Sequence, residues 1–128
     1  MIKVLVCLHD KVLTDVVRTA FKQFPSMNAF PVPRSDVLEL VREGGYDTLV
    51  LDIEERNDND LELLKRIREI DTTMPIMGLV DEGQKERLNK LKVEQNIFTL
   101  IALPLDPFEL ARRIHRLRET LVDTGSVS

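Results

Sequence analysis

The sequence predicts an α/β fold, a doubly wound sheet of five parallel strands with helices on both faces. Two observations carry this. Short apolar runs alternate with segments of helical period along the whole chain, with no internal repeat, low-complexity tract or interior linker between them. Several of the runs are apolar at nearly every position, as strands are when helices cover both of their faces.

The first strand is Lys3–Leu8, inside the apolar run that starts at Ile2. After it, Val12, Leu13, Val16, Val17, Ala20 and Phe21 fall on one helical stripe, while Lys11, Asp15, Arg18 and Lys22 face water. Ala29–Val32 is the second strand. The second helix is predicted over Asp36–Glu43, with Val37, Leu38 and Val41 inward. Gly44-Gly45 stops it, because a left-handed backbone is cheap only without a β-carbon. The third strand is Thr48–Asp52, and the third helix, near Leu61–Ile70, buries Leu61, Leu64 and Ile67, with Asp58, Asn59 or Asp60 as its cap. Pro75–Val80 is the fourth strand. A fourth helix near Gln84–Glu94 has only Leu88 and Leu91 as a stripe. The fifth strand is Thr99–Leu103. The last helix opens at Asp106-Pro107-Phe108-Glu109: Asp caps, Pro takes the first helical position where its missing N–H costs nothing, and Glu stands three residues after the cap.

A chain of 128 residues can bury a core of its own, and 43% hydrophobic with 31% charged residues is ordinary globular composition. Residues 1–121 are read as one domain, and the small, polar stretch 122–128 as a tail or the start of a linker. The net charge of −4 gives no long-range pull towards nucleic acid or anionic membranes. The single cysteine, Cys7, lies within an apolar run, so neither a disulfide framework nor a zinc set is expected. The first apolar run is too short to cross a membrane and lacks a basic leader and a cleavage site, which points to the cytoplasm.

In doubly wound sheets the working residues sit at the carboxyl ends of the strands, near the point where strand order reverses. Here those ends follow Leu8, Asp52, Val80 and Leu103. The strings at these ends are informative together: Tyr46-Asp47-Thr48-Leu49-Val50-Leu51-Asp52, then Asp60-Leu61-Glu62-Leu63-Leu64-Lys65-Arg66-Ile67, then Met74-Pro75-Ile76-Met77, then Leu103-Pro104-Leu105-Asp106-Pro107-Phe108-Glu109-Leu110. Their order and spacing resemble the receiver domain of bacterial two-component response regulators, over about residues 2–121. The resemblance implies a flavodoxin-like strand order 2-1-3-4-5. It also implies that Asp52 stands at the phosphoacceptor position.

The departures from the family pattern are as informative as the matches. Receivers carry two adjacent acidic residues after the first strand to hold Mg²⁺; helix phasing puts those positions at Leu8 and His9. Asp10 follows one residue later, pointing along the first helix and away from the pocket, unless the register shifts by one. The hydroxyl residue of the fourth strand is replaced by Val80, the Lys before the family's Pro by Leu103, and the aromatic switch residue of the fifth strand by Leu100. Only Asp52 and Pro104 keep their family identities around the pocket. The loop from Ile53 to Asp60 lacks the usual Pro and Gly.

Phosphoryl transfer depends on neutralising charge on the transferred oxygens, and a phosphoaspartate adds roughly −1.5 to −2 charges. Leu8, Val80 and Leu103 offer neither countercharge nor hydrogen bonds. Mg²⁺ binding is thus expected to be weak or absent, with no other cofactor or metal. Three roles remain for Asp52: a structural carboxylate bonding the following loop, a partner for a nearby His9 in a pair responsive to pH, or a residual phosphoacceptor served by a histidine kinase at reduced efficiency.

The acidic stretch Glu54 to Asp60 lacks the Gly and ligand spacing of a calcium loop. There is no Ser/His/Asp set for the strand ends to assemble and no Gly-rich phosphate loop, so no enzyme is predicted. Arg112, Arg113, Arg116 and Arg118 make the last helix basic on its outer side, a solvated face or a docking surface; His115 is expected at the surface. By resemblance, a homodimer would use the fourth helix, fifth strand and fifth helix, with Leu100, Arg112, Arg113 and Arg116 on that face. The expected partner is a protein or a covalently linked output domain, without direct nucleic-acid or membrane contact. An apolar pocket holding a small molecule is a further alternative.

Overall fold

In a computed structural model of the chain, the described residues are 1–54, 58–81, 83, 89–90, 93, 97, 99–103 and 106–116. The elements are β1 (Ile2–Cys7), α1 (Lys11–Phe21), β2 (Met27–Pro31), α2 (Arg34–Glu43), β3 (Thr48–Asp52), α3 (Asp58–Ile70), β4 (Ile76–Asp81) and β5 (Thr99–Leu103). Residues 107–116 form a C-terminal helix. The strands make one five-stranded sheet in the order β2-β1-β3-β4-β5, every pairing parallel. This is the doubly wound, flavodoxin-like arrangement expected, with strand order reversing at the carboxyl ends of β1 and β3.

Side-chain alternation sorts the strand residues into two cores. Leu5 and Cys7 of β1, Leu49 and Leu51 of β3, and Ile76 and Val80 of β4 pack with Val37, Val41, Leu64 and Ile67 of α2 and α3. On the opposite face Val4, Val6, Val50, Met77 and Leu79 pack with Val17, Ala20 and Phe21 of α1 and with Leu110, Ala111 and Ile114 of the C-terminal helix. The continuous apolar runs of the sequence thus correspond to strands covered on both sides. Gly78 in β4 is required by close packing. A β-carbon there would lie 2.7 Å from Ile53 Cδ1 and 2.9 Å from Leu100 Cδ2. Gly44 and Gly45 hold φ values of 79° and 92°, ending α2 as predicted.

Two helix starts differ from expectation. Helix α2 begins at Arg34, two residues before Asp36, because the extended Pro33 (φ −72°, ψ 155°) already serves as its N-cap. Helix α3 begins at Asp58, so the candidate caps Asp58, Asn59 and Asp60 lie inside the helix. Both shifts matter for the site, since they carry Arg34 and Asp60 onto helical first turns that face the strand ends. The predicted fourth-helix stripe of Leu88 and Leu91, together with Pro104, Leu105, Arg118 and the tail, falls outside the described residues. Among the described residues, no helix is long and apolar enough to cross a membrane.

Candidate functional site at the carboxyl ends of β1 and β3

Asp52 ends β3 and is the first polar side chain after four buried positions. Parallel pairing places Cys7 beside Leu51, so the chain leaving β1 passes directly over the Asp52 carboxylate. Both of its oxygens are engaged. Oδ2 accepts the backbone N–H of His9 at 3.0 Å. Oδ1 accepts Nη2 of Arg34 at 2.6 Å, and the same nitrogen donates to the Asp52 carbonyl at 2.8 Å.

Arg34 is the first residue of α2. A cation at a helix N-terminus opposes the helix dipole, so its placement there needs compensation from elsewhere. That compensation is doubled: Nη2 also lies 3.1 Å from Asp60 Oδ1. Asp60, in the first turn of α3, has a completely buried side chain, whereas those of Arg34 and Asp52 are 22% and 18% exposed. A buried carboxylate is tolerable only when paired and hydrogen-bonded. Asp60 meets that condition through Arg34, through His9 Nε2 at 3.2 Å from Oδ1, and through the Glu54 backbone N–H, which donates to Oδ2 at 3.1 Å. His9 in turn faces Arg34, whose Nε lies 3.0 Å from Nε2 and 3.4 Å from Nδ1. Among the described residues, the buried Arg34 Nη1 has no hydrogen-bond partner. One guanidinium therefore ties the ends of β1 and β3 to the starts of α2 and α3.

Beside this cluster lies a cavity of about 160 Å³ lined by His9, Asp52, Ile53, Glu54, Leu79, Asp81 and Leu103. Its lining combines apolar Ile53, Leu79 and Leu103 with acidic Asp52, Glu54 and Asp81. In the adjoining core, burial pushes the Cys7 thiol up to about 11; Arg34 opposes that shift, and the Asp52 and Asp60 carboxylates add to it. Such a thiol stays protonated and unreactive at neutral pH.

The other expected site residues are dispersed. Leu8 packs against the α1-side core and lines a separate cleft with Lys11, Pro31 and Pro33. Asp10 caps α1, its Oδ1 accepting Val12 N–H at 2.8 Å and Leu13 N–H at 3.3 Å. Val80 is buried in the α2/α3-side core; its neighbour Asp81, which the sequence reading passed over, lines the cavity instead. His9 meets Asp52 through its backbone N–H, while its ring turns to Arg34 and Asp60. Among the described residues no group of three or more His, Cys, Asp or Glu could hold a metal ion.

On the last helix, Arg112 and Arg113 are exposed and ion-paired to Glu109 at 2.9 and 3.4 Å, and Arg116 is exposed. Leu100, expected on an interaction face, is buried at 4% exposure because it packs over the bare Cα of Gly78. His115, expected at the surface, is half-buried, its ring 6.5 Å from that of Phe24.

Arg34 is the residue that sequence reasoning missed. Its one local signal is a cation placed directly after a proline at the start of a helix, against the dipole.

The chain matches no protein-family model and no curated protein. Solved structures do resemble it. The receiver domain of the Francisella response regulator 1452 superposes with a TM-score of 0.79 at 22% identity, over 94% of this chain and 99% of that one. The Vibrio cholerae chemotaxis protein CheY4 gives 0.75 at 17% identity, over 91% and 98%. A structure described as an adenylate cyclase from Rhodopirellula baltica gives 0.78 at 12%, over 97% and 93%. With the strand order and the position of Asp52, these likenesses identify the fold as that of response-regulator receiver domains.

Proposed function

We propose that the chain is a two-component-type signalling module, not an enzyme, that regulates a protein partner or an attached output domain through protein contacts, without an obligatory phosphorylation cycle. The observation that carries this is the Arg34 guanidinium seated on both Asp52 and Asp60. Each oxygen of Asp52 already accepts a hydrogen bond, and the guanidinium on Oδ1 neutralises charge that the carboxylate would need as a nucleophile or as a cation ligand. A divalent cation at Asp52 would meet the guanidinium's positive charge at close range, and removing Arg34 would strand the buried Asp60. Leu103 lines the cavity without countercharge. Magnesium binding is accordingly weak or absent in this reading.

Intact-mass measurement after incubation with acetyl phosphate and Mg²⁺ tests the proposal. The expected result is an unmodified chain; stoichiometric phosphorylation at Asp52 overturns it. A second reading, a slow phosphoacceptor served by a histidine kinase, draws on the same arginine: Arg34 stands where it could neutralise part of a phosphoryl group's charge. Mg²⁺-dependent beryllofluoride binding would favour that reading. For the partner surface, the exposed Arg112, Arg113 and Arg116 are the side chains proposed to dock, in a partner complex or a homodimer. Charge reversal at Arg113 and Arg116 should then abolish co-purification of the partner.

A further inference from the structure

We infer that the chain pairs with a second copy of itself through α1 and the first turn of the C-terminal helix, the two α1 helices lying antiparallel across a two-fold axis. This dimer rests on the proposed regulation by protein contacts and names one of the partners. It uses a different face from the basic side of the C-terminal helix.

The apolar residues of α1 span too wide an arc for one buried face. Val17, Ala20 and Phe21 are buried and Leu13 packs against the same core, whereas Val12 and Val16 remain 72% and 42% exposed. Pro107 and Phe108 stand across a cleft of about 370 Å³ from them, and Phe108 is 45% exposed. Val12, Val16 and Phe108 are thus three of the five large apolar side chains left exposed among the described residues. Such side chains need no explanation when scattered singly, but gathered around one cleft they mark a contact surface.

The pattern along α1 points to what covers that surface. Val12, Val16 and Thr19 follow one another at spacings of four and three, as along the seam of a helix that packs lengthwise against another. Exposed Asp15 and Lys22, one heptad apart, occupy equivalent positions on one side of the seam, and Phe108 stands on the other. Against a second α1 running the opposite way, Val16 meets Thr19 of the partner subunit and Thr19 meets the partner's Val16. Asp15 then faces Lys22 of the partner subunit, and the two-fold axis repeats the pair. A parallel pairing would instead set Asp15 against Asp15 and Lys22 against Lys22. Charge at these flanking positions selects partner and orientation, and here it selects an antiparallel copy. Such a contact is isologous, the same patch serving both subunits. Within its own helix Asp15 also meets Arg18 at 3.4 Å, an exposed contact of small worth. A standard interface engages about 20–30 residues a side. Two helices per subunit offer fewer, so the dimer should be weak and depend on concentration.

Sedimentation equilibrium of the intact chain, from micromolar to near-millimolar concentration, should show monomer and dimer in exchange. Val16→Glu should hold the chain as a monomer, with circular dichroism confirming the fold. Should that variant fail to fold, charge exchange decides. Asp15→Lys and Lys22→Asp should each weaken the dimer by about tenfold, since two attractions become two repulsions. The double variant should return to within about threefold of the unaltered chain, because the exchanged charges again face each other. A chain that stays monomeric throughout overturns the inference, as does a dimer that a folded Val16→Glu leaves intact, or a double variant no tighter than the single ones. Arg113→Glu with Arg116→Glu should leave self-association unchanged; loss of the dimer there would place the second copy on the basic side and overturn it too. Dimerisation is read without any other partner, so a lost dimer leaves regulation through other contacts standing, and a failed co-purification leaves the dimer standing.

Discussion

Arg34 and Asp52 are joined at two points through a single nitrogen, Nη2 bonding the carboxylate Oδ1 at 2.6 Å and the backbone carbonyl at 2.8 Å. The arginine thus holds both the side chain and the main chain at the end of β3. Together with its contact to Asp60, this makes it the countercharge for the whole strand-end cluster.

Removing Arg34 leaves the fully buried Asp60 carboxylate with its principal cation gone. Breaking one side of a buried pair typically costs about 3–5 kcal/mol. Arg34→Met should therefore lower stability by about 3 kcal/mol in urea denaturation, partial exposure of the arginine placing it at the low end of that range. Adding Asp60→Asn, which keeps an acceptor for the Glu54 N–H but removes the stranded charge, should recover part of the loss. A double variant no more stable than Arg34→Met alone would show that charge compensation is not what Arg34 supplies.

Cys7 gives the protein an alkaline limit. In the unfolded chain its thiol ionises near the ordinary 9.0, whereas in the fold burial holds it up to about 11. Between those values the unfolded state has lost a proton that the native state keeps, so stability falls as pH rises; below them the group has no effect. Two units correspond to about 2–3 kcal/mol. Urea midpoints taken near pH 8 and near pH 10.5 should fall steeply for the native sequence and less steeply for Cys7→Ala.

Gly78→Ala should destabilise by about 1–3 kcal/mol, the usual cost of overfilling a packed core. The new methyl would meet Ile53 Cδ1 and Leu100 Cδ2 inside 3 Å. Ile53→Val deletes the nearer of these atoms. In a double-mutant cycle followed by denaturation the pair should couple favourably, and strict additivity would show that the clash is relieved elsewhere.

Gly44→Ala tests the opposite mechanism. Nothing lies within 4 Å of a β-carbon built there, yet φ is +79° with ψ near −174°. That region is almost closed to residues with side chains, at about 1–3 kcal/mol. The loss should be felt as a lower thermal midpoint, and no change in any neighbouring side chain should restore it.

The sheet was legible because burial on both faces imposes a pattern that composition cannot hide: Val4-Leu5-Val6-Cys7, Leu49-Val50-Leu51 and Ile76-Met77-Gly78-Leu79-Val80 are apolar whichever face each residue takes. The end of α2 was legible in Gly44-Gly45 for a different, local reason, the positive φ that both residues adopt and that glycine alone takes without strain. Asp10 sits where the helix phasing put it, with its carboxylate on the α1 backbone. The expected strand order already brought His9 near Asp52, but the joining of both to Arg34 and Asp60 was not legible, because no local motif marks either residue for the site. Arg34 lies 18 residues from Asp52 and 25 from His9. Its reach across the strand ends follows from α2 starting two residues early, and that start depends on a proline N-cap that forms no side-chain hydrogen bond. Asp60 read as a helix cap because an exposed carboxylate near a helix start usually is one; its complete burial is a tertiary effect.

The Arg34 knot also has a temporal side. It gathers segments as distant as His9 and Asp60, 51 positions apart, and so cannot tighten until β1 has paired with β3 and both helices have docked. Contacts of such long span are made after the chain has already paid most of its loop-closure entropy. Weakening the knot should hasten the escape from the native state far more than it slows arrival there, which makes this guanidinium a guardian of the domain's lifetime.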